Sequence, residues 1–246
     1  MSQQDGGGSP IVFRVLLVLL LAGVTIGAVW LLAVPTTLPA GPVDPSADVV
    51  AVPVKPDTVA PGRAITDSDV TGWAAKMSAS TGIPVRAVQA YGNAELVLRA
   101  AEPACHLSWN TLAGIGRVES DHGQYGGAQL SADGTETKPI IGVPLNGSGG
   151  VQNIPDTDHG TLDGDPVHDH AVGPMQFLPT TWREYADRGA DPQSIDAAAV
   201  AAGRYLCADG RNLATARGWW AAILSYNDSV SYAQKVFGLA NSYTGT

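Results

Sequence analysis

Leu112-Ala-Gly-Ile-Gly-Arg-Val-Glu-Ser-Asp-His-Gly123 is the stretch on which the reading of this chain turns. Leu112, Ile115 and Val118 recur at helical spacing, Ser108 stands where a helix cap belongs, and Gly123 stops the run. Glu119 follows Ile115 by four residues and Leu112 by seven, which sets its carboxylate on the apolar stripe of that helix. A carboxyl on such a stripe is desolvated, and its pKa rises toward the range of a general acid. The plainer alternative is a helix-end Glu that pairs with Arg117 or stays in water. The chain has only four other glutamates, Glu95, Glu102, Glu136 and Glu184.

Helical signals continue on both sides. Asp67 or Ser68 caps a first helix to Thr81, which Gly82-Ile83-Pro84 stops, and Pro84 suits the first turn of a second helix reaching about Ala101. Thr181 with Glu184 has the capping-box pattern for a short helix to Asp187. Ser194 begins the run IDAAAVAAGRYLCAD, closed by Gly210. Two more helices follow, about Ala214 to Tyr226 and Val230 to Ser242, and no convincing alternating strand is present. Between Gly123 and Val172 a Gly/Asp-rich stretch has no periodicity, and an aperiodic loop of that length is usually functional.

At the N-terminus, residues 15–34 are uncharged, with Thr25 their only polar side chain. Twenty such residues predict a single transmembrane helix. Arg14 and Trp30 orient it with residues 1–14 as a cytoplasmic tail and the remainder extracytoplasmic. A cleaved signal peptide is the alternative, although its apolar core is usually only about 7–15 residues. Residues 35–64 carry seven of the chain's 17 prolines and are expected to form a Pro-rich linker that does not join a core, either an extended stalk or, equally, a disordered tether of no set length. Residues 65–246 form the folded domain. It carries 11 basic and 19 acidic groups within a chain of net charge −9, which argues against nucleic acid as a partner. Cys105 and Cys207 both fall in this domain. A disulfide between them is expected if the domain lies outside the membrane, and two buried thiols are the alternative.

Two further stretches are polar where a core would be apolar: Ala171-Val-Gly-Pro-Met-Gln-Phe177 and Ser225-Tyr226-Asn227. Read singly, each is an ordinary turn or helix end. In order, GIGRVES, AVGPMQF and SYN, with the flanks DTDHGTLDGD and DPQSIDAAAVAAGRYLC, resemble the catalytic core of lytic transglycosylases of the SLT fold. The match is to the actinobacterial branch of the membrane-bound lytic murein transglycosylase B type. The resemblance covers about Leu107 to Ser242. It implies a mainly α, lysozyme-like SLT-type catalytic domain with long loops, preceded here by the transmembrane helix and linker.

The resemblance also implies an enzyme, a lyase that cuts the bond between N-acetylmuramic acid and N-acetylglucosamine in peptidoglycan glycan strands. Glu119 would be the sole acid/base, Ser120 a hydrogen-bonding neighbour, Met175 and Gln176 the element beside the Glu, and Tyr226 and Asn227 the element that faces the cleft and steadies it. No cofactor is implied. Asp156, Asp158, Asp163, Asp165 and Asp169 form a carboxylate-rich loop of the kind that can bind calcium, but the EF-hand order fails and no metal site is assigned. His122, His159, His168 and His170 lack a zinc-ligand spacing. Two other functions stay open: a lysozyme-like muramidase, which would draw a second carboxylate from the 156–169 loop, and a catalytically idle wall-binding scaffold.

Overall fold

Seven helices and the long loop between the third and fourth make up the described body. The structure, a computed structural model, describes residues 44–244 except 57, 59–61, 63 and 67–68. The expected cytoplasmic tail, transmembrane helix and first part of the linker lie outside the described residues. Among the described residues no helix is long and apolar enough to cross a membrane. The chain divides into two units, Met1–Ala40 and Gly41–Thr246, and every described residue belongs to the second.

The helices are α1 (Val70–Thr81), α2 (Val85–Ala101), α3 (Trp109–Ser120), α4 (Pro179–Tyr185), α5 (Ile195–Cys207), α6 (Ala216–Tyr226) and α7 (Val230–Ser242). The described residues contain no strand, only isolated β-bridges such as Leu130 to Glu136 and Ile141 to Val172. Helix α2 is central and packs against α1, α3 and α5, while α3 lies along α7. The α3–α7 approach is close because Gly114 has no side chain: a Cβ there would meet the Val236 carbonyl at 2.9 Å. That crossing brings α7 to the end of α3 that carries Glu119.

Several helix ends differ from the sequence reading. Asp69 caps α1 by accepting from the Gly72 amide at 3.0 Å. Ser108 occupies the N-cap position of α3 but makes no capping bond. The buried Glu95 of α2 serves instead, accepting from Trp109 N at 2.9 Å and from Ile65 N at 2.8 Å. Helix α4 begins at Pro179 rather than Thr181, and no side chain caps it. Proline at the first helical position lacks the amide that a cap would satisfy. Cys105, in the 3₁₀ turn Pro103–Cys105, and Cys207, the last residue of α5, form a disulfide with Cα atoms 5.4 Å apart.

The linker departs from both forms expected of it. Asp44–Val54 lies on the helical body: Gln234 Nε2 donates to Val54 O at 3.1 Å, and Val54 packs against the core. Lys235 Nζ donates to Ser46 O and Ser46 Oγ, both at 2.9 Å. Asp44–Asp48 is a hydrogen-bonded turn, Ala47 N to Asp44 O at 3.0 Å and Val49 N to Ser46 O at 2.9 Å, and Pro45 O and Ser46 O also accept from side chains of α3 and α7.

Candidate active site

Glu119 is the penultimate residue of α3. Ile115 and Leu112, one and two turns back on its stripe, are fully buried, so the carboxylate emerges from the core at the helix end. Asp121, His122 and Gly123 follow with φ of 52°, 58° and 85°, three successive left-handed residues that end the helix abruptly. The His122 amide returns to Gly116 O at 2.9 Å, and the Gly123 amide donates to Ser120 Oγ at 2.8 Å.

From α7, Tyr232 donates its hydroxyl to Glu119 Oε1 at 2.6 Å. Burial pushes the Glu119 carboxyl up to about 7, against the pull of the Tyr232 hydrogen bond, and the Asp44 carboxylate adds to the rise. A group with that value is protonated about half the time near neutrality and can both give and take a proton. Tyr232 itself is held well above its ordinary range by burial and by the Glu119 charge, so it stays a donor.

Two cavities are lined by this carboxyl, and a third adjoins them. One of about 340 Å³ is lined by Glu119, Asn227, Tyr232 and Lys235. A second of about 320 Å³ is lined by Glu119, Tyr125, Ile141 and Gly142. A third of about 340 Å³ has Phe177, Tyr205 and Tyr226 in its wall. Gln176 lines all three, and Asn227 joins the first to the third, so they form one groove past Glu119. The aromatic wall is interlocked: Tyr226 meets Phe177 and Tyr205 edge-on, with centroids 6.0 and 5.5 Å apart. Its Gln176 corner is set by the turn at Gly173. There φ is +75° and a Cβ would strike the Pro192 carbonyl at 1.9 Å, so only glycine fits.

Glu119, Gln176 and Asn227 are therefore brought together, and Tyr226 forms the adjoining wall. Its hydroxyl donates to Met175 O at 2.7 Å and not to Glu119. Ser120 and Met175, expected to touch substrate, are instead fully buried behind the groove. Ser120 Oγ donates to Pro174 O at 2.6 Å, which fastens the end of α3 to the GPMQF turn. Both residues position the groove rather than line it. Tyr232, Lys235 and Asp44 were not singled out in the sequence. Tyr232 lies on the α7 stripe with Val236 and Phe237, where it resembles core.

The 156–169 loop is closed on itself and supplies no lining residue to these cavities among the described residues. Ligand atoms of Asp156, Asp158 and Asp169 lie within 4.8 Å of one another, and these are the carboxylates that could hold a cation. Each already accepts local bonds: Asp156 from Gly160 N, Asp158 from Leu162 N, and Asp169 from the Thr157 amide and hydroxyl. His122 is buried, its Nδ1 3.2 Å from the Tyr91 hydroxyl. Burial, with the Arg117 charge, drives it down to about 3, so its ring is neutral. No protein-family profile, curated protein or solved structure matches this chain.

Proposed function

We propose that the chain is a peptidoglycan lytic transglycosylase whose helical body is a lysozyme-like SLT-type domain. The observation that carries this reading is the Glu119 carboxyl, raised to about 7 at the base of a groove and hydrogen-bonded by Tyr232. The order of the three motifs supports it, since two of them supply Gln176, Tyr226 and Asn227 to that groove. In the reaction, protonated Glu119 gives its proton to the glycosidic oxygen as the bond to muramic acid C1 breaks. The substrate's acetamido oxygen covers C1 in place of a protein nucleophile. The Glu119 carboxylate then takes the proton of the muramoyl 6-hydroxyl, whose oxygen closes on C1 to leave a 1,6-anhydro end. No water is consumed, and Glu119 returns to its protonated form.

On this reading the substrate is the extracytoplasmic wall, and the apolar run 15–34 tethers the enzyme to the membrane. Glu119→Gln keeps the side-chain size but cannot cycle a proton. It is expected to lower muropeptide release from purified sacculi by about 10²–10⁴-fold without loss of folding. Mass spectrometry of the products tests the chemistry: anhydro ends lack one water relative to reducing ends. Reducing ends only would make the enzyme a muramidase, and undiminished release by the Glu119 variant would remove the site assignment.

A further inference from the structure

The groove past Glu119 is walled in part by a segment that precedes the helices in the chain. Asp44 and Pro45 line the cavities on both sides of the carboxyl, together with Glu119 and Gln176. These two residues therefore sit at the shared boundary of the two cavities, beside Glu119. The segment is held by donors from the two helices that build the site. Arg117 of α3 donates to Pro45 O at 2.8 Å and grips Asp48 with both carboxylate oxygens, at 2.9 and 2.7 Å. Lys235 of α7 takes Ser46 through its carbonyl and hydroxyl. Asp44 Oδ1 accepts from the Ser46 amide and hydroxyl, each at 2.8 Å, and so folds the turn locally.

We propose that Asp44–Asp48 is an intramolecular lid on the Glu119 groove, held by Arg117 and Lys235 and displaced when a glycan strand binds. The proposal rests on the glycan-cleaving reading for the identity of the displacing ligand. The lid itself is defined by its contacts. Two features suit it to movement. The Asp48 side chain is 74% exposed, and ion pairs this exposed are weak and salt-screened. The anchor further along is of a different kind: Val54 is packed against the core, and Val52 lies against Gly238 of α7. The segment can therefore hinge about Val52–Val54 and lift at its polar end. Lifting it also frees Lys235, which has no ion pair among the described residues, to meet carboxylates of the wall's lactyl and peptide groups.

The test uses the full chain in detergent. Asp48→Lys turns the grip of Arg117 into repulsion, and Ser46→Ala with Asp48→Lys also removes one of the Lys235 bonds. Access to the groove is read without any glycan, by carbodiimide and glycine ethyl ester labelling of Glu119 followed by peptide mass spectrometry. Labelling is expected to quicken by about two- to fivefold in the variants, the range a pair of this exposure commands. In the wild type it should quicken as sodium chloride is raised. Release of muropeptides from sacculi should rise in parallel through a lower KM at unchanged kcat. Unchanged labelling in both variants overturns the lid. So does faster labelling with a lower kcat, which would make Asp44–Asp48 a working wall of the site. Faster labelling in a protein that releases no muropeptide under any condition sustains the lid and removes the glycan reading.

Discussion

Tyr232 donates to the carboxyl that the proposed reaction would cycle, so removing its hydroxyl alone should move a pH profile. In Tyr232→Phe the burial of Glu119 persists while the hydrogen bond that lowers its pKa is gone. The pKa of Glu119 therefore climbs. On the proposed reaction, the alkaline limb of kcat/KM is expected near pH 7 in the wild type, where Glu119 titrates, and at higher pH in the variant. Stability should fall by about 0.5–1.5 kcal/mol, the worth of one hydrogen bond. A pH–rate series on solubilised glycan checks this, and a limb that stays in place or moves toward acid refutes the positioning role. Glu119 was legible in the sequence because a carboxylate interrupting an apolar stripe is a chemical anomaly. Tyr232 was not, because a tyrosine on such a stripe satisfies the pattern of a core residue and declares its polar tip only when a partner arrives from another helix. The same holds for Ser120: its place beside Glu119 was plain, while its burial depended on Pro174, 54 residues away.

At the scale of helices, the periodic signal located the elements and the termini depended on contacts between them. Helix α7 runs over Val230–Ser242, as its pattern indicates, with Ser229 accepting from the Tyr232 amide at 3.3 Å. Helix α3 shows the opposite case, since its first amide is satisfied by Glu95 from α2, a long-range partner that no local rule detects. A carboxylate near a helix N-terminus also meets the positive end of the helix dipole. Glu95→Ala strands the buried Trp109 and Ile65 amides and is expected to cost roughly 1–3 kcal/mol for each unsatisfied group. Urea unfolding measures the loss, and a variant as stable as the wild type would show that water replaces the carboxylate. The loop from Gly123 to Val172 carried no periodicity for a related reason. It is ordered by carboxylates accepting nearby amides, as at Asp156, Asp158 and Asp165, and by backbone pairing across non-neighbouring residues, as in Ile154 N to Leu145 O at 2.7 Å. Neither device repeats along the chain.

Across the whole molecule, buried acids make stability depend on pH in an unusual sense. Burial raises Glu119 from 4.5 to about 7 and Glu136 from 4.5 to about 8. Both oxygens of Glu136 are buried without a hydrogen-bond partner. Between the unfolded and folded values the folded state binds more protons, so stability falls as pH rises. For His170, burial is outweighed by the Gly142 carbonyl and Asp165, its pKa is raised, and it acts in the same sense. His122, lowered from 6.5 to about 3, opposes them chiefly below its unfolded value. From pH 6.5 to 8.5 the raised groups therefore lower stability as pH rises, and the opposing His122 contribution fades within the first unit. The thermal midpoint should drop by several degrees across that window, since about 1 kcal/mol moves it ~2–4 °C at this size. Glu136→Gln has no proton to lose and should flatten much of the drop; calorimetry at the two pH values decides. The three left-handed residues after Glu119 carry a different consequence, one that concerns redesign. Asp121 and His122 hold a backbone region that suits glycine or asparagine. A search for thermostable variants would relax this turn first. Doing so loosens the chain that ends α3 directly behind Glu119, so if the proposed reaction holds, heat resistance and turnover would compete for the same few peptide bonds.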